Sequence, residues 1–188
     1  HGMHATFMPK PKSGVSGSGM HINMSLRKVG RNIFADETDR FGLSQDAYYF
    51  IGGLMKHVYS MTAITNPLVN SYKRLVSGFE APLHIAWSVT NRSPLIRIPS
   101  SFGSGTRIEL RSPDSAANPY LTIALCLAAG LDGIKNKITP PENIQKNIFH
   151  MTEQEKEQLH IKSLPTNLYD AVCAMERDAF IREILGEH

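Results

Sequence analysis

Residues 20–26, with the sequence MHINMSL, alternate strictly between apolar and polar side chains. Because successive side chains of a β-strand point to opposite faces, this alternation predicts a strand with one buried and one exposed face. His21, Asn23 and Ser25 share the polar face, and a Gly/Ser-rich loop at residues 13–19 leads into the strand. The chain must therefore cover one side of a sheet with a second layer of structure.

A second alternating segment occupies residues 106–111, after another Gly/Ser-rich loop at residues 100–105. Its polar face carries Arg107, Glu109 and Arg111, while Thr, Ile and Leu side chains lie on the other face. This pattern also predicts a strand. Both predicted strands therefore present titratable or cationic side chains on one face.

Shorter apolar runs predict further strands at residues 4–9 and 84–89, and residues 30–42 indicate a polar hairpin or loop. Four helices are predicted from helical spacing and capping residues. The first runs from an N-cap at residue 44 to about residue 65 and contains a Gly-Gly pair that weakens it locally. The others begin at these caps: Asn118, Thr152 (a capping box with Glu155), and Thr166 or Asn167, the last helix running to about residue 185. The predicted fold class is α+β, with a mostly antiparallel sheet and helices towards the end.

The composition bounds the class of protein. A chain of 188 residues with 41% hydrophobic and 20% charged residues is typical of one soluble globular domain. The net charge of +3 is modest and no block of five Lys or Arg occurs, so no nucleic-acid partner is predicted. No apolar run is long enough to span a bilayer, so no membrane partner is predicted. Cys126 and Cys173 fall on apolar helix faces, which predicts buried free thiols and a cytoplasmic protein.

Three groups of residues could carry chemistry: the two polar strand faces and a basic set of Arg74, Arg92 and Arg97. Each has an ordinary interpretation: an exposed histidine, a salt-bridge ladder, and a basic surface patch or weak nucleic-acid face. Together they also offer a histidine and a carboxylate for one divalent cation, with arginines for phosphate or carboxylate groups. Spacing alone leaves these interpretations open. It excludes a P-loop, and Gly17-x-Gly19 enters a strand rather than a helix, which argues against a Rossmann fingerprint.

A series of short motifs runs through the chain: ATFMPKP at 5–11, SGSGMH at 16–21, NSYKRL at 70–75, GFEAP at 78–82, NRS at 91–93, RIP at 97–99, RIELRSPD at 107–114, ANPYL at 117–121 and LAAGLDGI at 127–134. In order and spacing they resemble the catalytic domain of type I glutamine synthetase, over essentially the whole chain. The resemblance implies the second half of the glutamine synthetase/guanido kinase-like catalytic fold. It also implies ATP-dependent formation of glutamine from glutamate and ammonia through a γ-glutamyl phosphate.

The resemblance further implies roles for single residues. These are metal ligands (His21, Glu109), nucleotide contacts (Asn23, Met24, Ser25, Arg92, Arg97, Arg107) and glutamate contacts (Ser16, Gly17, Arg74, Glu80, Arg111). Two of these, the flap residue Glu80 and the phosphate-contacting Arg92, are also the implied catalytic residues. Glu80 is expected to help remove a proton from bound ammonium. The implied metal is Mg²⁺ or Mn²⁺, and ATP is a substrate.

The chain departs from the family pattern at a few positions. Ser16 stands where the family usually has an asparagine that contacts substrate, and the loop at 100–106 lacks a lysine found in some members. Phe149 stands where the adenylylated branch has its regulatory tyrosine, so no adenylylation is expected there. The similar segment NLYD at 167–170 is expected to cap the last helix instead.

The family resemblance also sets expectations about the whole protein. The small N-terminal domain, the first half of the catalytic domain and a C-terminal segment are expected to lie outside this chain. The isolated chain is expected to be inactive and to self-associate through an unpaired sheet edge. The parent protein is expected to be a homo-oligomeric double ring, a dodecamer. Alternatives are a γ-glutamyl ligase for another amine, such as a polyamine or methylamine, and a non-catalytic binding relative.

Overall fold

A computed structural model describes residues 1–76 and 81–186 of the chain. Its elements, in chain order, are β1 (Ile22–Met24), β2 (Arg27–Lys28), β3 (Arg31–Asn32), α1 (Gln45–Thr65), α2 (Val69–Arg74), β4 (His84–Ile85), β5 (Trp87–Ser88), β6 (Ile96–Arg97), β7 (Ile108–Leu110), α3 (Pro119–Lys135), α4 (Glu153–Gln158), β8 (Lys162–Ser163), α5 (Leu168–Arg177) and α6 (Ala179–Leu185). Single 3-10 turns occupy Gly103–Gly105 and Ile148–His150. None of the helices in the described ranges is long and apolar enough to cross a bilayer.

The largest sheet has the strand order β1-β7-β6-β5. Its β1–β7 and β6–β7 pairs are antiparallel, and only β5–β6 is parallel. Two small antiparallel pairs, β2–β3 and β4–β8, complete the strands of the described residues. The α+β class with a mostly antiparallel sheet is therefore confirmed.

The alternation at residues 20–26 has the predicted consequence. His21, Asn23 and Ser25 are exposed, whereas Ile22 and Met24 are half-buried against the main core. β1 itself is short, because only its central residues pair with β7. The polar face of this strand is thus free to carry chemistry, while its apolar face anchors the strand.

The predicted helix starts are also confirmed. Ser44, Asn118, Thr152 and Asn167 each accept a hydrogen bond from a backbone N–H in the first turn of their helix. Such caps satisfy backbone donors that the first turn leaves without a helical partner. Pro119 follows Asn118 at the first helical position, where a missing N–H has no cost.

The Gly-Gly pair in α1 is not a weak point. A Cβ atom added to Gly53 would lie 2.7 Å from Gly133 N and 2.8 Å from Gly133 Cα, so the two helix backbones approach closely here. α1 continues without a break from residue 45 to residue 65. The local cost of glycine is outweighed by the packing that it permits, because α1 and α3 form the principal helical layer of the core.

The core lies between this helical layer and the four-stranded sheet. Its largest fully buried side chains include Phe34, Leu43, Phe50, Ile51, Leu54, Leu95, Ile96, Ile108, Leu110 and Leu125. Phe34 and Phe50 pack edge to face with their ring centroids 5.1 Å apart. These side chains come from segments far apart in sequence, and their burial joins β6, β7, α1 and α3 in one core.

Two strand predictions were wrong. Residues 4–9 form no strand; residues 4–8 are exposed, and prolines at 9 and 11 remove backbone donors that a ladder would need. The predicted strand at 84–89 is two short strands separated by Ala86, because β4 pairs with β8 whereas β5 pairs with β6. A single apolar run cannot reveal that its two halves have different partners.

The last helix and one cysteine also differ from prediction. Asp178 ends α5 and caps α6, its side chain accepting a hydrogen bond from Phe180 N–H at 3.0 Å. This break turns Phe180 onto His57, with the two rings stacked at 3.8 Å between centroids. Cys126 is buried and reduced as predicted, but Cys173 is only half-buried.

A polar contact joins α1 to α3. His57 Nε2 lies 2.8 Å from Asp132 Oδ2, and Lys56 Nζ donates to the same oxygen at 3.0 Å. Burial alone would raise the pKa of Asp132, but the hydrogen bonds from His57 and Lys56 outweigh it and hold that pKa below its usual range. We expect Asp132→Asn to lower the free energy of unfolding by about 1.5 kcal/mol at pH 7, measured by urea denaturation.

The sign of the pH effect follows from that lowered pKa. A carboxyl group with a depressed folded-state pKa stabilises the fold above its unfolded pKa, about 4, and this contribution is lost as pH falls through the folded value. The difference between the native chain and Asp132→Asn should therefore shrink below pH 4. Glu176→Gln, at an exposed position of α5, is the matched control and should change little. An unchanged difference at pH 3 would count against the assignment.

Candidate functional site

The polar faces of β1, β7 and β6 meet at Glu109. Glu109 lies opposite Asn23 of β1 and opposite Arg97 of β6, so all three side chains fall on one side of the sheet. Glu109 Oε1 is 3.4 Å from His21 Nδ1 and 3.4 Å from Arg111 Nε, and Glu109 Oε2 is 3.6 Å from Arg97 Nη1. We call His21, Arg97, Glu109 and Arg111 the Glu109 cluster.

This cluster differs from a solvated salt-bridge ladder. Glu109 is only 7% exposed and Arg111 only 5% exposed. Charges removed from water in this way need partners, and their mutual interactions are stronger than at a surface. Two guanidinium groups against one carboxylate leave an excess of positive charge. The cluster is therefore suited to bind an anion such as phosphate.

His21 stands at the exposed edge of the cluster, with 40% of its side chain accessible. Burial of the ring lowers the pKa of His21, and the positive charge of Arg111 lowers it further, against an opposing effect of Glu109. The imidazole is therefore neutral at pH 7. A neutral imidazole has a nitrogen lone pair that can bind a metal ion.

Arg107 extends the site towards the second Gly/Ser loop. Its Nε donates to Asn23 Oδ1 at 3.1 Å, and its Nη1 donates to Ser101 Oγ at 2.9 Å and to Gly105 O at 3.2 Å. The guanidinium therefore links β1 to the loop at residues 100–105. It lies on the strand face that the alternation of residues 106–111 predicted.

Arg74 lies beneath the first Gly/Ser loop. Its Nη1 donates to Ser112 O at 2.8 Å and to Pro113 O at 3.3 Å, and its Nη2 donates to Arg111 O at 3.2 Å. These contacts use three of the five N–H groups of a guanidinium. Arg74 is 5% exposed, so it orders the backbone that follows β7.

Two glycines of this loop, Gly17 and Gly19, lie close to Arg74. A Cβ on Gly17 would lie 3.1 Å from Arg74 Cγ, and a Cβ on Gly19 would lie 3.1 Å from Arg74 Cζ. The loop is also tied to the chain end by a hydrogen bond of 2.8 Å from Ser18 N to Pro9 O. A larger residue at Gly17 would collide first with the backbone oxygen of Pro9, and a larger residue at Gly19 would collide with the guanidinium of Arg74, so both glycines let the loop lie close to the arginine.

Arg92 lies in the turn between β5 and β6, and its side chain is exposed. Its carbonyl oxygen accepts a hydrogen bond from Arg111 Nη1, which also reaches Pro94 O at 3.5 Å. The turn that carries Arg92 is thus attached to the Glu109 cluster by its backbone. The side chain of Arg92 remains accessible to a ligand.

The remaining predicted residues are more scattered. Ser16 is exposed in the first loop, and Met24 and Ser25 line a cavity of about 310 Å³ between β1 and α3. Larger cavities of about 660 and 730 Å³ are lined by α1 and by residues 138–146, and neither includes a member of the Glu109 cluster. Glu80 lies outside the described residues.

The donor atoms of the site fit a divalent cation in part. An imidazole nitrogen and a carboxylate oxygen are ligands that Mn²⁺ and Mg²⁺ accept. Within residues 1–76 and 81–186, however, no three His, Cys, Asp or Glu side chains converge. His21 and Glu109 could therefore supply two ligands, and the others would come from phosphate oxygens, water or residues beyond those described.

One residue of the site was given no role from sequence. Asp114 is fully buried, accepts a hydrogen bond from Asn66 Nδ2 at 3.0 Å, and lies near Arg74, whose charged form it favours. Its position at the end of the RIELRSPD motif is the sequence feature that could have indicated a role for it. The structure indicates that Asp114 holds the segment after β7, and with it Arg74, in place.

Comparison with known proteins agrees with this geometry. A family model described as "Glutamine synthetase, catalytic domain" matches residues 1–188. Glutamine synthetases from Clostridium saccharobutylicum and Thermotoga maritima are 57% and 56% identical to the chain over 188 residues. The glutamine synthetase of Methanosarcina mazei is 59% identical over 187 residues. These matches cover 100% of the chain but only 42–43% of each relative, so the chain spans less than half their length.

Solved structures give the same result at the level of the fold. The chain is similar to GmaS without ligand, with a TM-score of 0.83, 42% identity, and coverage of 96% of this chain and 40% of that one. It is also similar to GmaS in a complex with ADP, with a TM-score of 0.85, 42% identity, and coverage of 96% and 42%. The family model, the relatives and the fold agree, and the chain belongs to the glutamine synthetase catalytic-domain family.

Proposed function

We propose that the chain forms part of a glutamine synthetase active site, which joins glutamate and ammonia with ATP through γ-glutamyl phosphate. The observation that carries this proposal is the convergence of His21, Arg97 and Arg111 on Glu109, in a chain 55–59% identical over its length to glutamine synthetases. ATP provides the phosphoryl group, and the arginines provide the positive charge that its transfer needs.

The roles of the nucleotide-binding residues follow from their positions. Arg92, Arg97 and Arg107 would contact phosphate oxygens, because each carries a guanidinium at the rim of the Glu109 cluster or beside it. Arg92 would stabilise the phosphoryl group during transfer. Residues 23–25 would contact the nucleotide along the exposed edge of β1.

The roles on the glutamate side involve the first loop. Gly17 would bring its backbone close to the substrate, and Ser16 would make a polar contact. Arg111 would pair with a carboxylate group, as would Arg74 through the donors that its backbone contacts leave over. Glu80 would close over the site as part of the flap and accept a proton from ammonium.

The metal would be held by His21 and Glu109. When bound, Mg²⁺ or Mn²⁺ would neutralise charge on the phosphate oxygens of the nucleotide. The residues of the chain would hold the metal and orient its ligands: His21 would present a neutral nitrogen, and Arg97 and Arg111 would orient the carboxylate of Glu109. The side chain of Glu109 would thereby serve both metal and arginines.

The chain is proposed to supply only part of the site. Two metal ligands are fewer than a divalent cation requires, and the matched relatives are more than twice as long. We therefore propose that further residues complete the site in a cytoplasmic homo-oligomeric double ring, a dodecamer. The purified chain alone should show no γ-glutamyl transfer in a hydroxamate assay; activity above the no-enzyme blank would refute this part of the proposal.

A chimaera tests the function directly. Residues 1–188 would replace the 188 matching residues of the Clostridium saccharobutylicum glutamine synthetase, with which they align over the whole chain. We expect ammonia- and glutamate-dependent release of phosphate from ATP, and growth of a glutamine auxotroph that carries the chimaera. An inactive but correctly assembled chimaera would contradict the proposal.

We expect no adenylylation of residue 149, because Phe149 has no hydroxyl group.

The same chimaera distinguishes the alternative amine substrates. Ser16 replaces the usual asparagine and leaves a shorter polar side chain at an exposed position. A panel of ammonia, methylamine and polyamines should show the highest kcat/KM for ammonia. A preference for another amine would favour a different γ-glutamyl ligase, and binding of ATP without any turnover would favour a non-catalytic relative.

A further inference from the structure

The turn that carries Arg92 has an internal hydrogen-bond frame. Ser88 Oγ accepts a hydrogen bond from Asn91 N–H at 3.2 Å. Asn91 Oδ1 in turn accepts two hydrogen bonds from Ser93, at 2.7 Å from its N–H and at 2.8 Å from its hydroxyl. Because these bonds enclose Arg92, the side chains of Asn91 and Ser93 set the backbone conformation on both sides of it.

A second segment binds this frame from outside. Residues 144–151, which we call the bracing segment, contain the 3-10 turn at Ile148–His150. Ile148 N–H donates to Ser93 Oγ at 3.1 Å, and Asn91 Nδ2 donates to Lys146 O at 2.6 Å. The two side chains that shape the turn are therefore also the two that attach it to the bracing segment.

The bracing segment is itself anchored to the sheet. Ile148 is fully buried and packs with Ala86, Ile144 and Met151 in a small apolar cluster separate from the main core. Ile144 N–H donates to Trp87 O at 2.9 Å. The bracing segment is thus fixed to the β4–β5 region, which directly precedes the turn that carries Arg92.

The turn is also attached to the Glu109 cluster. Arg111 donates through Nη1 to the carbonyl of Arg92 and, at 3.5 Å, to that of Pro94, and its Nε is 3.4 Å from Glu109 Oε1. The turn that carries Arg92 is consequently attached both to the Glu109 cluster and to the bracing segment. Its exposed side chain is the part left to move.

We propose that Asn91 and Ser93 are positioning residues, which hold Arg92 at the transferred phosphate by fastening its turn to the bracing segment. This inference rests on the proposed function, because Arg92 contacts phosphate only if that function holds. Ser93 is 5% exposed, and its hydroxyl both donates to Asn91 and accepts from Ile148. In this proposal Asn91 and Ser93 make no contact with substrate and act through Arg92.

Kinetics of the chimaera provide the first test. Ser93→Ala removes both hydrogen bonds of the hydroxyl, and Asn91→Asp keeps the acceptor for Ser93 but removes the donor to Lys146. We expect each change to lower kcat by about 10- to 100-fold, because small displacements of a catalytic group have effects of this size. The KM for glutamate should stay within about twofold, since only transition-state contacts are weakened. Thr90→Ala, which removes an exposed hydroxyl from the same turn, should leave kcat unchanged.

A double-mutant cycle distinguishes positioning from a general loss of structure. If Ser93 acts through Arg92, Ser93→Ala should lower kcat in the native background and have little further effect when Arg92 is already alanine. An equal fall in kcat in the native and the Arg92→Ala backgrounds would overturn the proposal. The proposal would also be overturned if Ser93→Ala and Asn91→Asp left kcat at its native value.

Hydrogen exchange separates failure of this proposal from failure of the proposed function. An inactive chimaera with residues 1–188 unchanged would refute the function, but exchange in that protein still reports on the brace. Ser93→Ala should speed amide exchange both in residues 88–94 and in the bracing segment, with Thr90→Ala as the control. If Ser93→Ala speeds amide exchange in only one of the two segments, or in neither, the turn and the bracing segment are not coupled.

Discussion

Replacing Glu109 by glutamine is expected to abolish measurable ligase activity of the chimaera, with kcat about three orders of magnitude below that of the unmutated protein. Glutamine keeps the shape of the side chain but removes the charge that faces His21, Arg97 and Arg111. It would also remove the carboxylate that we propose as a metal ligand. Losing the charge stabilisation that the metal provides raises the activation free energy by several kcal/mol. Each 1.36 kcal/mol of activation free energy lowers the rate tenfold.

The same substitution should destabilise the fold. Arg111 keeps only 6% of its side chain exposed, so neutralising Glu109 leaves a buried guanidinium without its carboxylate. Removing one partner of a buried ion pair costs about 3 kcal/mol or more. Urea denaturation of the chain measures this loss, and binding of Mn²⁺ to the chimaera, followed by electron paramagnetic resonance, measures the loss of the ligand.

The control for Glu109 is Glu157→Gln. Glu157 is exposed on α4, away from the Glu109 cluster, and its replacement makes the same chemical change. It should alter neither kcat nor Mn²⁺ affinity. Native metal affinity in Glu109→Gln would show that Glu109 is no ligand, and native kcat would remove the cluster from the proposed mechanism.

The second large effect concerns the crossing of α1 and α3. Gly133→Ala is expected to lower the free energy of unfolding by about 3 kcal/mol, the upper part of the range for overpacking a core. A Cβ on Gly133 would lie 2.7 Å from Gly53 N and 2.8 Å from Gly53 Cα, and it would also collide with Tyr49 O. These are backbone atoms, so the clash can be relieved only by separating the helices.

The sign of this effect is informative. Helix propensity alone predicts that Gly→Ala would stabilise α3 by about 1 kcal/mol. The steric cost is larger, because separating α1 from α3 also loosens buried contacts such as Phe50 against Gly130. Ala124→Val adds carbon atoms to the same helix at an exposed position and should lower stability only by the difference in helix propensity, about 0.5 kcal/mol. Thermal and urea unfolding would detect either sign, and a stabilised Gly133→Ala would refute the close crossing.

The sequence determined the features that depend on near neighbours along the chain. The alternation at residues 20–26 predicted which face of β1 carries His21, because the two-residue period of a strand is a local property. The four N-caps were found for the same reason, since each cap bonds within its own first turn. The succession of strand and helix patterns predicted the α+β class, and the family motifs over the whole chain predicted the family; both are confirmed.

Tertiary structure decided the features that depend on distant partners. Residues 4–9 have the composition of a strand but no strand partner in the part of the chain that the structure describes, and residues 84–89 divide because each half pairs with a different strand. The Gly-Gly pair in α1 carries a local cost that only the presence of α3 converts into a packing advantage. The stacking of Phe180 on His57, which lies more than a hundred residues earlier in the sequence, likewise depends on the tertiary structure.

The site shows the same division. Sequence placed Arg107, Glu109 and Arg111 on one face of a strand, but it could not show that His21 and Arg97 approach Glu109 from neighbouring strands. Nor could it show that the Gly/Ser loop at residues 13–19 wraps around a buried Arg74. Side-chain direction is set by the local backbone period, whereas ion-pair distances and burial are set by strand register and by the layer packed above. For this protein, the sequence alone therefore determined which residues could do chemistry, and the tertiary structure decided which of them meet.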